Sequence, residues 1–427
     1  MRYEPIKPEL FISNRNKLKA HLLPNSLVVL NSNDIFPKNG DGTMAFKQNS
    51  DLFYLSGINQ EETILVLYPD AKKNSWKEAL FIKETNEHIK IWEGNKLTKE
   101  EAANISSIPN VYWLHEFDQI FHNIMFDADN VYLNTNEHRR ASAHVETRDS
   151  RFVNCCKQKY PLHNYCRLAP IMASLRTCKN EIEIGLIKKA ADITAIGFKS
   201  IMSMIKSGVM EYELEAEMLY TFIKNRSMGF AYEPIIACGK NSCVLHYTSN
   251  NMRCNDGEII LFDVAAEYAN YNSDVTRVLP VNRRFSARQK AVYNSVLHIL
   301  RQVQTLINPT NTLDTYQKEA SAIVEQELVN LGLISMSDIK RQDEKTPAYK
   351  KYFMHGLSHH LGLDVHDLAD NHSKFKTNMV LTIEPGIYIQ EEGFGIRLED
   401  NFVIRENGLE NLTKSIPIEI EELEEYL

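Results

Sequence analysis

The chain has 427 residues, of which 43% are hydrophobic and 24% charged, and its net charge is −8. The length predicts two or three domains, and the composition is that of an ordinary soluble globular protein. An acidic balance without a long basic run argues against nucleic acid or an anionic membrane as the main partner, and no apolar run approaches the ~20 residues that span a bilayer.

The seven cysteines form no Cys-x-x-Cys pair. An odd number without that spacing predicts neither a disulfide framework nor a cysteine zinc site, and it favours a reducing compartment. The N-terminal stretch MRYEPIKPELF has no apolar signal-peptide core. We therefore expect a cytoplasmic protein.

Residues 1–168 are predicted to form an α/β domain, because short strand-like runs alternate with helical stretches such as LTKEEAANIS (97–106). The segment 155–170 has no strong period and predicts a linker. The strand-like runs are NSLVVLNS (25–32), ETILVLYP (62–69), EALFIK (78–83) and NVYLN (130–134).

Residues 169–427 are predicted to form an α+β domain, because long helices are grouped with strand pairs typical of antiparallel hairpins. Apolar residues recur at helical spacing along 180–206. Further helices are predicted over 211–227, 287–307 and 312–332. The strand-like runs are 258–268, 271–281, 378–389 and 395–406.

Four carboxylates fall within these predicted strands, namely Asp263, Asp274, Glu384 and Glu399. Acidic residues are unfavourable in strands, and an uncompensated buried carboxylate is costly. The four therefore need a common counter-charge, which either a metal or arginines such as Arg277 and Arg397 would supply. We favour the metal, because strand alternation gives the arginines other neighbours.

The stretch HGLSHHLGLDVHD, residues 355–367, contains four of the fourteen histidines. Its glycines argue against a helix, and alternating apolar residues favour a strand. On a strand, His355 and His359 would share one face and His360 would point to the other. The pattern alone leaves a metal site, a catalytic histidine set and a polar loop all open.

The types of ligand narrow the choice of metal ion. Four carboxylates with one or two imidazoles favour Mn²⁺, Co²⁺ or Zn²⁺. A carboxylate-rich set of five ligands suits two ions about 3.5–4 Å apart that share a hydroxide, and a metal can lower the pKa of bound water to ~7. Such a site predicts hydrolysis.

Several motifs in order resemble one known family. Asp263 and Asp274 eleven residues apart, then HGLSHHLGLDVHD, TIEPGIYI and GIRLEDN, resemble the metallopeptidases with the pita-bread fold, above all the Xaa-Pro branch, aminopeptidase P. The resemblance implies a creatinase/aminopeptidase-like catalytic domain over 169–427. It also implies two divalent ions, usually manganese in this branch, with Zn²⁺ or Co²⁺ as alternatives. The implied ligands are Asp263, Asp274, His359, Glu384 and Glu399.

The resemblance also assigns roles to residues around these ligands. His246, in NSCVLHYTSN, matches a substrate-site histidine, and His355 and His366 match active-site histidines that are not ligands. His360 stands where Trp is often found, and we interpret it as a structural imidazole. Arg397 would hold a bridging carboxylate in place. Tyr232, fourteen residues before His246, is a candidate for the substrate pocket.

The N-terminal part resembles the same branch. FKQNSDLFYLSGINQEETILVL (46–67) is similar to the first domain of aminopeptidase P, which helps to shape the substrate groove and to form subunit contacts. A homodimer or homotetramer is therefore implied. Asp41 and Trp92 are candidates for the substrate region, and the alternatives are an exposed turn aspartate and a core tryptophan.

The implied activity is hydrolysis of the N-terminal Xaa-Pro bond of peptides by a metal-bridging hydroxide, which Glu384 would orient and deprotonate. Prolidase shares the fold and the ligands, and HGLSH lies between the motifs of the two groups, but QNSDLFYLSG favours aminopeptidase P. Creatinase does not need the full ligand set. A non-catalytic binding module would have lost ligands, and a mononuclear oxygenase would leave three acids unexplained.

Overall fold

The computed structural model describes residues 2–141, 144–343, 345–370 and 372–426. These residues divide into two compact units. The N-terminal unit covers Pro5–Leu175, and the C-terminal unit covers the described residues up to Glu4 and from Arg176 onward. The predicted domain boundary at 168/169 falls directly before a helix, Ala169–Thr177.

The N-terminal unit is built on one mixed sheet of six strands. Its helices are α1 (Glu9–Lys19), α2 (Ser50–Ser56), α3 (Glu87–Glu93), α4 (Lys99–Ser106), α5 (Phe117–Met125), α6 (Arg148–Lys159) and the start of α7 (Ala169–Thr177). Its strands are β1 (Ser26–Asn31), β2 (Ile64–Leu67), β3 (Glu78–Ile82), β4 (Val111–Trp113), β5 (Asn130–Leu133) and β6 (Asn164–Arg167). They lie in the order β4-β3-β2-β1-β5-β6. All four predicted strands of this part are confirmed.

The QNSD stretch shapes the chain locally in this unit. Asn49 caps α2 by accepting hydrogen bonds from the backbone of Asp51 and Leu52, as expected for an asparagine before a first helical turn. Gln48 donates to the carbonyl oxygens of Ile58 and Gln60 at 3.0 and 2.8 Å. The stretch therefore sets the course of the chain around α2.

The predicted linker over 155–170 is wrong. This segment contains the end of α6 and the strand β6, which pairs in parallel with β5. A strand of four residues with an exposed polar end has too few apolar positions to show a period. Its pairing with β5 comes from tertiary contact, which the local pattern does not record.

The C-terminal unit groups long helices with short antiparallel strands. Its helices are α8 (Glu181–Met202), α9 (Glu211–Lys224), α10 (Ala287–Gln304), α11 (Leu313–Asn330), α12 (Met336–Arg341) and α13 (Ile420–Tyr426). Its strands are β7 (Ile235–Cys238), β8 (Ile259–Asp263), β9 (Glu267–Tyr268), β10 (Tyr271–Asn272), β11 (Thr276–Pro280), β12 (Val380–Ile383), β13 (Gly386–Ile389), β14 (Phe394–Arg397), β15 (Asp400–Arg405) and β16 (Gly408–Asn411). Within the part of the chain that the structure describes, no helix has the length and apolarity to cross a membrane.

The sheets of this unit bring distant parts of the chain together. One sheet has the order β11-β8-β7, another β12-β15-β16, and β13 pairs with β14. A bridge between Thr276 and Glu399 joins the chain ahead of β15 to the first residue of β11. The predicted helices over 180–206, 211–227, 287–307 and 312–332 are confirmed as α8 to α11.

The predicted place inside a strand is confirmed for Asp263 and wrong for Asp274, Glu384 and Glu399, which lie next to strand ends. Asp263 is the last residue of β8, and Asp274 lies between β10 and β11. Glu384 directly follows β12, and Glu399 lies between β14 and β15. A carboxylate in the middle of a ladder would carry its charge into the packed core, so Asp263 ends its strand and the other three lie outside the strands.

The strand predicted over 355–367 is also wrong, because this segment is a loop. Only its first half runs beside β12, where Leu361 N–H donates to Val380 O at 3.1 Å and Thr382 N–H donates to His359 O at 3.0 Å. After Leu361 the chain turns at Gly362. The alternating apolar residues therefore reflect burial of a loop rather than a strand.

Asp149 gives a pH-dependent prediction for the N-terminal unit. Burial, together with the charge of Asp51, raises its pKa to about 7, although Asn31 donates to it at 3.0 Å. The pKa of an aspartate in the unfolded chain is about 4. As pH rises from about 4 to about 7, the unfolded state releases this proton first, so the stability of the parent falls.

We therefore expect Asp149→Asn to raise the free energy of unfolding by roughly 1–3 kcal/mol at about pH 8 and to have little effect at about pH 4. Denaturant unfolding followed by tryptophan fluorescence checks this. The three tryptophans are Trp76, Trp92 and Trp113, all in the N-terminal unit. An equal effect at both pH values would show that the Asp149 charge is not the cause.

Candidate metal centre

Three of the predicted ligands meet in the C-terminal unit. Asp274, His359 and Glu399 each offer one ligand atom, and these atoms all lie within 4.8 Å of one another. Asp274 and Glu399 are buried, and His359 is half-buried. The bridge between Thr276 and Glu399 holds the two acidic segments side by side. Residues separated by more than a hundred positions thus form one cluster of oxygen and nitrogen donors.

His359 presents one nitrogen to this cluster and fixes the other. Its Nδ1 lies 3.1 Å from the carbonyl oxygen of His360, so Nδ1 carries the proton and donates it there. Its Nε2 lies 3.4 Å from Asp274 Oδ2 and 3.6 Å from Glu384 Oε1. A histidine whose far nitrogen donates to a carbonyl is oriented as a metal ligand through the free one.

Asp263 receives its counter-charge from an arginine. Arg397 Nη2 donates to Asp263 Oδ2 at 2.6 Å, and the Tyr232 hydroxyl donates to Oδ1 at 2.7 Å. Arg277, the other arginine considered as a counter-charge, pairs with Asp400 at 2.7 Å instead. Arg397 therefore supplies the counter-charge for one of the four carboxylates, Asp263. The other three carboxylates, Asp274, Glu384 and Glu399, face one another around His359.

Glu399 has no positively charged hydrogen-bond partner among the described residues. Glu399 Oε2 accepts from Thr276 at 2.8 Å, whereas its buried Oε1 has no hydrogen-bond partner among the described residues. Burial and the neighbouring carboxylates Asp274 and Glu384 raise the pKa of Glu399 well above its usual range. An unsatisfied buried carboxylate oxygen is costly, and a cation satisfies it directly.

The pKa values of Glu384 and His359 are raised as well. Burial raises the pKa of Glu384 to about 7, and Asp274 and Asp263 add to the rise against the opposing charge of His359. Burial lowers the pKa of His359, but Asp274 and Glu384 outweigh it and raise the pKa above its usual value. Protons are taken up where cation charge is missing, so these donors fit divalent ions.

His355 is held neutral beside this cluster. Arg397 Nη1 donates to the Tyr388 hydroxyl at 2.6 Å, and that hydroxyl lies 2.7 Å from His355 Nε2. His355 Nδ1 lies 2.8 Å from the Gly356 carbonyl oxygen and 3.5 Å from Glu384 Oε2. Burial, with the charge of Arg397, lowers the pKa of His355 to about 3. The Nδ1 proton therefore points toward acceptors that include Glu384.

The other predicted site residues of this unit lie around the same place. The rings of His366 and His359 meet edge to face with centroids 4.4 Å apart, and the His366 imidazole is exposed. His246 is exposed and contributes to the field that lowers the pKa of His355. His360 is buried and lies in the field of Lys179 and Asp367.

Asp41 and Trp92 belong to the N-terminal unit, where both are exposed. Trp92 is 78% exposed, so the alternative interpretation of a core tryptophan is wrong. An indole left this open has no packing role in its own unit. The assignment of both residues to the substrate region stays a prediction.

The sequence did not point to two residues of this centre, Tyr388 and Thr276. Tyr388 joins Arg397 to His355, and Thr276 accepts from Arg397 Nε at 3.2 Å while donating to Glu399. Strand alternation could have found them, since Thr276 is two residues after Asp274 and Tyr388 is four after Glu384. Thr276 links the ligand candidate Glu399 to the arginine, and Tyr388 links His355 to it, so both help to hold the side chains of the site in place.

Comparison with known proteins gives matches along the whole chain. A family profile described as "Metallopeptidase family M24" matches residues 185–406, and one described as "Aminopeptidase P, N-terminal domain" matches residues 11–132. The Xaa-Pro aminopeptidase of Haemophilus influenzae is 32% identical and covers 98% of this chain and 97% of its own.

Solved structures match as well. A structure from Bacillus anthracis, assigned as an aminopeptidase P, superposes with a TM-score of 0.91 at 32% identity and covers 99% of this chain and 98% of its own. Zinc-substituted Escherichia coli aminopeptidase P in complex with product gives a TM-score of 0.88 at 30% identity, with the same coverage of 99% and 98%.

Proposed function

The chain belongs to metallopeptidase family M24, and we propose from this membership and from the site that it is a metal-dependent Xaa-Pro aminopeptidase. Its substrates are peptides with proline at the second position, and its products are the first residue and the shortened peptide. The family predicted from the motifs and the fold predicted with it, an α/β domain followed by the α+β pita-bread domain, are confirmed. The observation that carries the proposal is the cluster of Asp274, His359 and Glu399, with its unsatisfied oxygen.

The proposal includes two divalent ions held by Asp263, Asp274, His359, Glu384 and Glu399, with manganese as the proposed metal and Zn²⁺ or Co²⁺ as the alternatives. It is supported by the three carboxylates of Asp274, Glu384 and Glu399 around the His359 imidazole and by the raised pKa of Glu399. When bound, divalent ions polarise the scissile carbonyl and lower the pKa of water.

Glu384 has the environment of a proton carrier. Its carboxylate lies 3.6 Å from His359 on one side and 3.5 Å from His355 on the other. A carboxylate held between two imidazoles is placed to accept a proton and to pass it on. The nitrogen that leaves is proline's, and like any amide nitrogen it must receive a proton when the C–N bond breaks.

The histidines bind and orient. His355 directs its Nδ1 proton toward the Gly356 carbonyl and Glu384, and Tyr388 and Arg397 fix its ring. His246 and His366 are exposed imidazoles whose N–H groups suit the carbonyl oxygens of a peptide. Tyr232 donates to Asp263 and is the candidate for the substrate pocket. Asp41 and Trp92 stay candidates for substrate contacts.

The wider proposal follows the resemblance. Residues 1–168 serve the substrate groove and subunit contacts, and residues 169–427 carry the chemistry. The protein assembles as a homodimer or homotetramer. A cytoplasmic location is supported by the odd number of cysteines without a Cys-x-x-Cys pair, which favours a reducing compartment.

Three peptides test the reaction. We expect the manganese-loaded protein to cleave Ala-Pro-Ala to Ala and Pro-Ala, with little action on Ala-Pro or Ala-Ala-Ala. A preference for Ala-Pro would make the protein a prolidase. Cleavage of Ala-Ala-Ala alone would overturn the requirement for proline and leave the metal centre standing.

His366→Ala is expected to keep the metal and lower kcat/KM by about 10–100-fold, since one hydrogen bond to a developing charge would be lost. Elemental analysis and steady-state kinetics check the two halves of this expectation. His298→Ala, at an exposed histidine of α10, is the matched control. If kcat/KM of His366→Ala equalled that of His298→Ala, His366 would have no part in the reaction.

A further inference from the structure

Four charged side chains form a network behind the loop that carries the histidines. Arg176 Nη2 donates to Asp364 Oδ2 at 2.6 Å and also to Asp367 Oδ1. Lys179 Nζ donates to Asp367 Oδ2 at 2.9 Å. We call Arg176, Lys179, Asp364 and Asp367 the charge network. Its cations come from the last turn of α7 and from the segment between α7 and α8, and its acids come from the loop 355–367.

The charge network is unusually deep. The side chains of Arg176, Lys179 and Asp367 are only 3%, 1% and 2% exposed, whereas Asp364 is 46% exposed. Burial favours a neutral Asp367, but Arg176 and Lys179 outweigh it and lower its pKa below the usual value. The network thus holds two cations against two carboxylates. Such buried pairs give little net stability, although breaking one is costly, so they are better suited to fixing geometry.

The geometry that the network fixes is a turn. Asp367 N–H donates to His360 O at 2.9 Å and closes the chain between the two residues, with His366 inside the turn. Asn272 holds the turn from the other side through Gly362 O at 3.0 Å and Leu363 O at 2.9 Å. A Cβ at Gly362 would lie 2.2 Å from Asp367 Oδ2 and 3.0 Å from Lys179 Cε. The turn is therefore seated directly on the network.

The position of His366 depends on this turn. Its imidazole is exposed, and its ring meets the His359 ring edge to face at 4.4 Å. The next residue along the chain is Asp367, whose carboxylate accepts from Arg176, Lys179 and the Leu368 N–H. An anchor one residue away sets the backbone from which His366 projects. Misplacement of a substrate-binding group by about 1 Å can cost a large share of the rate.

We propose that Lys179, Arg176 and Asp367 are positioning residues that act on the reaction through His366. This inference rests on the proposed function, because it assigns a task to a residue of that site. The segment LRTCKNEIEI (175–184), which enters α8, thereby acquires a functional task besides starting the helix. The network contributes orientation and does not touch the substrate.

A double-mutant cycle tests the proposal on the manganese-loaded full chain with Ala-Pro-Ala. Lys179→Met removes one cation and leaves Asp367 paired with Arg176, so we expect a folded variant with a lower Tm. We expect it to lower kcat/KM about tenfold in the parent, to divide the loss between kcat and KM as His366→Ala does, and to leave metal content unchanged. In the His366→Ala background the same change should cost less than about twofold.

Two further variants separate positioning from stability. Arg15→Met removes a cation with a side chain 1% exposed from its pair with Glu78 in the N-terminal unit. It should lower Tm and leave kcat/KM unchanged. Asp364→Asn removes the exposed member of the network, and its smaller loss, about two- to threefold, should also vanish without His366.

The outcomes are distinct. Equal losses from Lys179→Met with and without His366, or no loss in either, would overturn the positioning role. A parent protein that does not cleave Ala-Pro-Ala would overturn the proposed function itself, and with it this inference. A parent that cleaves, with losses confined to the background that contains His366, supports both.

Discussion

Glu384→Gln is expected to lower kcat by about three orders of magnitude and to change KM by less than about threefold. The amide keeps the size of the side chain and one oxygen, but it cannot take up a proton. In the structure Glu384 lies 3.5 Å from His355 and 3.6 Å from His359, buried among acids that raise its pKa to about 7. Kinetics on Ala-Pro-Ala measures the effect.

Metal content decides how this result is interpreted, because Glu384 is also a proposed ligand. Elemental analysis of the same preparation shows whether the ions remain. Glu391→Gln is the control, since Glu391 lies on the neighbouring hairpin turn in an exposed pair with Lys351. A fully loaded Glu384→Gln variant with kcat within about tenfold of the parent would rule out a proton-transfer role for this residue.

Glu399→Gln is expected to have opposite effects on metal binding and on stability. The variant loses a ligand and should lose most of its bound metal. Without metal, however, it should be more stable than the parent, because an amide at this buried place no longer repels Asp274 and Glu384. Sites built for function commonly give up stability in this way.

The sign of the stability effect depends on pH. The folded-state pKa of Glu399 lies well above its usual range, so its protonated form fits the metal-free fold better. As pH rises above about 4.3, the unfolded glutamate ionises first and the metal-free parent loses stability, at roughly 1.4 kcal/mol for each unit of pKa difference. The variant escapes this loss, so its advantage should be large at about pH 8 and small at about pH 4.

Thermal unfolding of the chelated proteins at the two pH values measures this advantage. Glu406→Gln, at an exposed glutamate after β15, is the matched control and should match the parent. Adding manganese should raise the Tm of the parent and of Glu406→Gln but not that of Glu399→Gln. A metal-free Glu399→Gln variant less stable than the parent at the higher pH would contradict this account of the site.

Much of the fold could be predicted because its signals are local. Helices α8 to α11 have long apolar stripes, and strands β1, β2, β3 and β5 are short, mostly apolar runs. Strand β6 and the loop 355–367 were missed or misread, since tertiary pairing and turn geometry decide them. An apolar alternation records which residues are buried and does not say whether their backbone is a strand.

The site was recognisable because carboxylates stood where apolar residues were expected. That anomaly pointed to Asp263, Asp274, Glu384 and Glu399 before their positions were known. Its supporting residues were harder to find, since Thr276, Tyr388 and Lys179 are ordinary residue types in their local sequence. The tasks of Thr276 and Lys179 appear only when residues more than a hundred positions apart meet, as Thr276 meets Glu399 and Lys179 meets Asp367.

We propose that these carboxylates and His359 hold two catalytic ions. The most direct test strips the protein of metal and follows the rate of Ala-Pro-Ala cleavage as Mn²⁺ is added in known ratio to the chain. We predict no cleavage without metal and a rate that levels off at about two ions per chain, with Ala and Pro-Ala as products. Cleavage that persists in the stripped protein, or that never appears with added metal, would show that these residues do not hold catalytic metal ions.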